Sequence, residues 1–301
     1  MESTVVVLVL TFNEVENTLK CLKSVYAINY ENLNIYLIDN GSSSGYIKPI
    51  KNIYSDLQVI TLPKNGGYAG GFNEGMKYLY QNQVEFDYLW LITNDLEVEP
   101  DALGKQVRVM EKERTIGFLG PETYKRYGSG EHDQWINALA HKDNPCSIIM
   151  CNEMNTRGRD MVEVEFVVGH CLLVRKEIIQ DVGLIRDFFI YWEEREWQWR
   201  AKLQGWSTYV VPGSICYHDR DSFGKPFNTY LRIRNFLFFN RIVLFNDSKF
   251  TKHFIRNIFT ELKWSVKMTV KRKWDGKHFY HFIKGFLHGF LYKVPGFDRI
   301  S

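Results

Sequence analysis

The sequence predicts an α/β protein built on a mostly parallel, doubly wound sheet. Three observations carry the prediction. Val5 to Leu10 is an unbroken run of valine and leucine, the pattern of a strand buried on both faces. Strand-like and helix-like patterns then alternate as far as Pro100. The strand-like runs end in polar residues, at 11–14, 39–43, 65–67 and 94–95, and an open parallel sheet binds its ligands beyond the carboxyl ends of its strands.

The elements follow in order. Asn13 stands where a helix cap belongs, with Glu16 three residues on at capping-box spacing. Leu19, Leu22 and Val25 give the helix behind it an apolar stripe. Asn34 to Ile38 reads as the second strand and Leu57 to Leu62 as the third. A glycine-rich loop and a helix through Met76 and Leu79 lead to a fourth strand, Tyr88 to Ile92. Residues 104–113 look helical, and residues 120–160, polar and containing Gly128 and Gly130, read as a mobile or acceptor-facing region. Val164 to Val168 and Leu172 to Val174 read as strands, with a helix from about Lys176. Residues 193–204 are a helix, Thr208 to Val211 a strand, and the chain from Pro226 is helical and aromatic.

Composition narrows the class. With 45% hydrophobic and 24% charged residues the 301-residue chain is globular, not disordered. Its five cysteines, Cys21, Cys146, Cys151, Cys171 and Cys216, are odd in number and form no CxxC pair. That argues against a disulfide framework or zinc knuckle and for a reducing compartment. No signal peptide is legible at residues 1–12, and no apolar run approaches the ~20 residues that cross a bilayer. The net charge of +3 is uneven: residues 249–301 carry twelve Lys/Arg against three Asp/Glu, leaving −6 for residues 1–248.

The strand ends hold the candidate chemistry. Asp39 can accept an N–H of uracil or thymine or a ribose hydroxyl, or close an Asx turn with Asn40 and Gly41. Asn65 to Gly75 supplies glycines before a helix N-terminus, where backbone amides approach a phosphate or sugar, but it is neither a Walker loop nor a dinucleotide fingerprint. A nucleoside diphosphate needs its charge neutralised, and Mg²⁺ or Mn²⁺ does so with few protein oxygens. Asp95 at a strand end is a plausible first ligand, and His218 a plausible partner. Glu193 and Glu194 follow an aromatic run. Among Tyr191, Trp192 and Trp197 a glutamate tends toward a raised pKa, as a general base needs, although an acidic helix N-terminus also favours Glu.

The order of these pieces resembles the family 2 glycosyltransferases, which have the GT-A fold, a Rossmann-like, mostly parallel central sheet flanked by helices. The residues that carry the likeness are "TFNE" at 11–14, "IDNGSSSG" at 38–45, "NGGYAGGFNEG" at 65–75, "TNDLEVEPDAL" at 93–103, "VGHCLLVRKE" at 168–177, "FFIYWEEREWQWRAKLQGW" at 188–206, and "YHDRDSF" with "YLRIRN" between 217 and 235. The nearest flavour is the bacterial rhamnosyltransferase and galactofuranosyltransferase branch. The resemblance implies inverting transfer from a dTDP- or UDP-sugar, a dTDP-rhamnose-like or UDP-hexose donor, to a glycan or lipid-linked acceptor in surface polysaccharide synthesis. It implies a catalytic domain over 1–225, with a nucleotide-sugar half to about 103 and an acceptor half to about 225, and a helical extension over 226–301. Thr11, Asn13, Glu14, Asp39, Asn65, Gly67, Gly71, Asn73, Asn94 and Arg234 would bind the nucleotide sugar. Asp95 and His218 would hold the metal, and Glu194, beside Glu193, would be the base. Two departures stand out: Thr93 replaces the first acid of the metal motif, and the base is Glu where Asp is more usual.

The extension holds Phe282, Ile283, Phe286, Leu287, Phe290 and Leu291 at helical spacing near Lys271, Arg272 and Lys273. Such a helix either lies on an anionic membrane or packs on the catalytic domain. Nucleic acid is disfavoured, because basic residues alternate with large apolar ones and the body is acidic. The expected location is cytoplasmic, with possible peripheral contact at the inner face of the membrane. The alternative is a catalytically weak nucleotide-sugar or carbohydrate-binding protein on the same fold. A nucleotidyltransferase fits worse, since no lysine-containing glycine-rich loop follows the first strand.

Overall fold

β1 (Val5–Thr11) is buried along its whole length. The computed structural model describes residues 2–126, 132–134, 139–141, 144–149, 158–218, 226–246, 251–270 and 275–300. After β1 come α1 (Val15–Tyr26), β2 (Leu33–Asp39), α2 (Ile47–Ile53), β3 (Gln58–Thr61), α3 (Gly67–Gln81) and β4 (Tyr88–Thr93). β1 pairs in parallel with β2 and β4, and β2 with β3. The winding therefore reverses between β1 and β4, which puts the ligand crevice beyond their carboxyl ends. Alternate β1 residues enter different cores. Val5, Val7 and Val9 pack with Leu22 and Trp90, while Val6, Leu8 and Leu10 pack with Phe72 and Met76. Burying each such side chain stabilises the fold by about 1.5–3 kcal/mol.

The second half adds β5 (Leu96–Val98), α4 (Ala102–Lys112), β6 (Ile116–Arg126), β7 (His132–Gln134), β8 (Leu139–His141), β9 (Asn144–Ile149), β10 (Val162–Glu163), β11 (Cys171–Arg175), α5 (Lys176–Asp181), α6 (Glu193–Lys202) and β12 (Ser207–His218). β11 lies antiparallel between β4 and β6, and β12 is parallel to β6. The sheet order is β3-β2-β1-β4-β11-β6-β12-β10, and β5 lies antiparallel on the end of β12.

Three helices close the chain: α7 (Pro226–Asn246), α8 (Thr251–Val270) and α9 (Gly276–Leu291). Phe236, Leu237 and Phe239 of α7 share one apolar cluster with Phe282 of α9 and with Phe188 and Trp192 ahead of α6. The last residues return to the sheet half. The Asp298 carbonyl accepts from the Leu184 amide at 2.8 Å, and the Phe297 ring lies 3.7 Å under the Arg200 guanidinium. The α9 spacing is as expected: one face, with Phe282, packs inward, while Ile283, Leu287 and Leu291 remain exposed.

Four local readings change. Asn13 does not cap α1: its backbone is left-handed (φ 55°) and its Oδ1 accepts from the Ser43 amide at 2.9 Å, so the competing turn takes the side chain and the cap residue is Glu14. The glycine-rich stretch is mostly helix, because α3 already begins at Gly67. Val164 to Val168 forms no strand beyond β10. The Gln198 amide takes both backbone groups of Val167, each at 2.8 Å, and replaces a neighbouring strand. Within 120–160, β6 continues to Arg126 and three short strands follow; 127–131, 135–138, 142–143 and 150–157 lie outside the described residues.

Candidate active site

Hydroxyls and amides join the ends of β1, β2 and β4. The Thr11 hydroxyl, at the end of β1, bonds the Thr18 hydroxyl at 2.7 Å and the Tyr46 hydroxyl. The Asn94 amide donates to Thr18 at 3.0 Å. Thr11 and Asn94 are buried, so they shape the wall of the crevice from behind. Asp39 uses Oδ1 to close a turn on the Ser42 amide at 2.9 Å. Asn40 ties this turn to the next strand end: its amide donates to Asn65 and to the Gly67 carbonyl, and its Oδ1 accepts from the Gly66 amide. Glu14 lies at the mouth, on a cavity of about 350 Å³ shared with Asn17, Lys20, Asn94, Asp95, Glu97 and Tyr217.

Two of the expected residues serve packing. A Cβ on Gly71 would stand 2.4 Å from Leu10 Cδ1, so this glycine lets α3 close on β1. The Asn73 amide is held by both backbone groups of Ile185, at 2.7 and 3.0 Å.

Asp95 and His218 meet because β5 pairs with the end of β12, with His218 opposite Leu96. His218 Nε2 is 3.4 Å from Asp95 Oδ1, and the Thr93 hydroxyl donates to the same oxygen at 2.7 Å. The His218 ring stacks on that of His170 with centroids 4.9 Å apart, and His170 Nε2 bonds the Thr123 hydroxyl at 2.8 Å. Among the described residues no three His, Cys, Asp or Glu side chains gather to hold a metal by themselves. One carboxylate and one imidazole fit a divalent cation that completes its coordination with water and phosphate oxygens.

α6 presents the two glutamates. Its body is firmly docked: the fully buried Glu196 pairs with Arg186 and Arg200, both at 3.0 Å, and Trp197 Nε1 donates to the Gly183 carbonyl at 2.8 Å. Glu193 is buried, and burial followed by the neighbouring Glu194 charge pushes its carboxyl well above the ordinary value. Burial also raises Glu194, against the opposing pull of backbone N–H groups and Arg195. Glu194 is partly exposed, and each glutamate has an Oε2 with no hydrogen-bond partner. A Cβ on Gly169 would stand 3.1 Å from the Glu194 Cβ, and Gly169 precedes the His170 that stacks on His218. Asp95, His218 and His170 thus form a row of successive contacts, and Gly169, next to His170, lies against Glu194. Arg234 is engaged on the loop ahead of α6, where it donates to the Phe188 carbonyl at 2.8 Å.

Sequence reasoning missed Tyr68 and His170, and it set Asn235 with Arg234 near the diphosphate, whereas the Asn235 amide holds the loop ahead of α6. The Tyr68 hydroxyl donates to the Gly169 carbonyl at 2.6 Å, and burial, with Glu194 and Glu193 nearby, raises its pKa. His170 adjoins the apolar run 171–174, where a polar side chain reads as core, and Tyr68 lies in the glycine-rich stretch, where the glycines carried the reading.

Comparison with known proteins adds to this geometry. The family described as "Glycosyl transferase family 2" matches residues 6–183. The low-salt glycan biosynthesis hexosyltransferase Agl10 of Haloferax volcanii is 22% identical over 279 residues, covering 89% of this chain and 86% of that protein. The poly-beta-1,6-N-acetyl-D-glucosamine synthase of Staphylococcus aureus is 24% identical over 214 residues, covering 68% of this chain, which spans 47% of its length. A mannosyltransferase from Pyrobaculum calidifontis, solved with GDP-Man and Mn²⁺, superposes with a TM-score of 0.57 at 12% identity, covering 81% of this chain and 65% of that one. That likeness shows the fold.

Proposed function

This chain belongs to glycosyl transferase family 2, and from that premise we propose that it inverts a sugar's anomeric centre while moving it from a nucleotide-diphosphate sugar to an acceptor hydroxyl. The acceptor is a glycan or lipid-linked glycan in surface polysaccharide synthesis. The donor is a dTDP- or UDP-sugar, with rhamnose favoured by the motif likeness. The observation that carries the reading is the row of contacts from Asp95 through His218 to His170 at the strand ends, with Glu194 against the neighbouring Gly169. Relatives named for hexosyl transfer and glycan synthesis support it.

Glu194 takes the acceptor's hydroxyl proton as that oxygen bonds to the anomeric carbon. The bond from that carbon to the diphosphate oxygen breaks, and the nucleoside diphosphate leaves with the electron pair. The raised pKa keeps Glu194 basic enough to hold the proton. Asp39 and the turn at 40–43 face the nucleoside, and Asn65 with Gly67 borders the sugar. Asp95 and His218 would hold Mg²⁺ or Mn²⁺, which would supply positive charge where the diphosphate departs. Thr93, in place of a second acid, orients Asp95 through its hydroxyl.

Residues 226–301 support peripheral contact with the inner face of a membrane. α9 exposes Tyr280, Ile283, Leu287 and Leu291 and contains no acid, and residues 249–301 around it carry a net +9. No helix among the described residues is long and apolar enough to cross a bilayer. A reducing, cytoplasmic setting accords with the free, buried thiols of Cys21, Cys171 and Cys216.

One experiment tests the core of this. Donor binding and transfer are measured for a panel of nucleotide sugars, with and without Mn²⁺, in the wild type, Glu194→Gln and Asp95→Ala. Glu194→Gln should bind donor and not transfer; Asp95→Ala should lose the Mn²⁺ dependence of binding. Normal transfer by Glu194→Gln would remove the base. Donor binding without turnover in the wild type would favour a binding protein on this fold.

A further inference from the structure

We infer that Asn235, in the helical extension, is a positioning residue for the base: its amide clamps the loop 188–192 whose left-handed backbone aims Glu194 into the crevice. The inference rests on the reading of Glu194 as base.

The loop is unusual in its backbone. Phe189, Tyr191 and Trp192 have φ of 75°, 74° and 75°. Side chains with a Cβ rarely adopt these values, and such residues persist only where the surroundings hold them. Trp192 is the N-cap of α6, and the next two residues, its first, are Glu193 and Glu194. The strain therefore sits directly ahead of the proposed base.

What holds it comes from α7. Asn235 is fully buried, and its Nδ2 donates to the carbonyls of Phe188, Ile190 and Tyr191 at 2.9, 2.8 and 3.0 Å. Two hydrogens serve three acceptors, so one is shared. Arg234 fixes the amide's orientation by donating to Asn235 Oδ1 at 2.9 Å. The intervening Phe189 carbonyl faces the other way and accepts from the Ala69 amide, at the start of α3, at 3.3 Å. The loop is thus gripped on one side by the extension and on the other by the glycine-rich segment. The Trp192 ring completes the seat, 5.3 Å from the Phe236 ring and 5.6 Å from that of Phe239.

Only a short amide at 235 supplies this pattern. Asp would present acceptors to three acceptors, and Ala would leave three buried carbonyls with fewer donors. The extension is therefore part of the catalytic apparatus, acting through the loop without touching substrate.

The test uses the full chain. Transfer kcat, donor Kd and the pH–rate profile are measured for Asn235→Asp, for Tyr191→Gly, and for the two combined. Asn235→Asp should lower kcat about 100-fold, the scale of a misplaced catalytic group, while donor Kd moves by less than about threefold. The acidic limb of its profile should move to lower pH as water reaches Glu194. Tyr191→Gly, which takes a left-handed φ freely, should recover part of the lost kcat in the combined variant. Should Asn235→Asp fail to fold, Asn235→Ser carries the same comparisons. Wild-type kcat and profile in the position-235 variant would overturn the inference. So would a parallel loss of kcat and donor affinity that Tyr191→Gly does not relieve. Normal transfer by Glu194→Gln defeats the base assignment instead; a loss of kcat at 235 would then still show that the loop is held for turnover.

Discussion

Gly67→Ala measures how tightly the glycine-rich segment and the loop ahead of α6 are fitted together. Gly67 opens α3 with φ of 70°, and a Cβ there would lie 2.1 Å from the Phe189 carbonyl oxygen and 2.7 Å from its carbon. An ordinary carbon–oxygen contact is about 3.3 Å, so the two backbones must part by roughly 1 Å. The left-handed backbone costs an L-residue about 1–2 kcal/mol, and displacing packed backbone about 1–3 kcal/mol. The sum is roughly 2–5 kcal/mol of lost stability. Unfolding entropy is about 2.1 cal/mol/K per residue, hence about 0.6 kcal/mol/K for 301 residues, and Tm should fall by roughly 3–8 °C. Gly70 is the control. It lies in the same helix with nothing within 4 Å of its would-be Cβ, so Gly70→Ala should gain up to about 1 kcal/mol of helix propensity. Calorimetry of both variants without ligand decides the matter. A Gly67→Ala Tm within about 1 °C of wild type, or an equal fall in Gly70→Ala, would refute the fit.

Two further outcomes are expected. Glu193 holds its proton more tightly folded than unfolded, because burial and the Glu194 charge raise its carboxyl. Between the unfolded value of about 4.3 and the raised folded value, stability therefore falls as pH rises, and above the folded value the full cost is present. Glu193→Gln, which cannot ionise, should gain melting temperature over wild type at pH 8 relative to pH 5; an equal difference at both would contradict the assignment. For the extension, vesicles containing phosphatidylglycerol should sediment the protein at low salt, less so at high salt, and Leu287→Asp with Leu291→Asp should abolish this. Equal binding to purely zwitterionic vesicles, or none to either, would sink the membrane reading.

Much of the parallel half was legible because burial on both faces leaves a local mark. The β1, β2 and β4 strands and the helices between them carry their apolar pattern in consecutive residues. What was not legible acts across the sequence. Asn13 had two possible partners, and the Ser42–Ser43 turn outcompeted the helix. The segment 164–168 reads as a strand by composition, yet Gln198 satisfies its backbone from 31 residues away. β5 is three residues long, too short for a pattern, yet its pairing with β12 is what brings His218 to Asp95. Asn235 is one amide in an aromatic helix, and its three acceptors lie 44 to 47 positions earlier.

The adjacency of Glu193 and Glu194 now has a physical sense. Two carboxylates side by side in a partly apolar setting cannot both ionise cheaply. Glu193, the more deeply buried, has the carboxyl pushed up by burial and by its neighbour's charge, so it is the member that stays protonated. That leaves Glu194 as the charged member, opposed by burial but favoured by Arg195 and by the amides at the start of α6. An oxygen without a hydrogen-bond partner is costly to keep inside a protein. Of the two residues only Glu194 is partly exposed, so its carboxyl group is the one nearer an incoming hydroxyl. The rigid rear of α6, fixed by Glu196 and Trp197, and its strained front, held by Asn235, leave the carboxylate little freedom to turn away. Two acids of like chemistry thus acquire different roles from one residue's difference in depth, which fits transfer better than passive binding, since binding alone needs no such division.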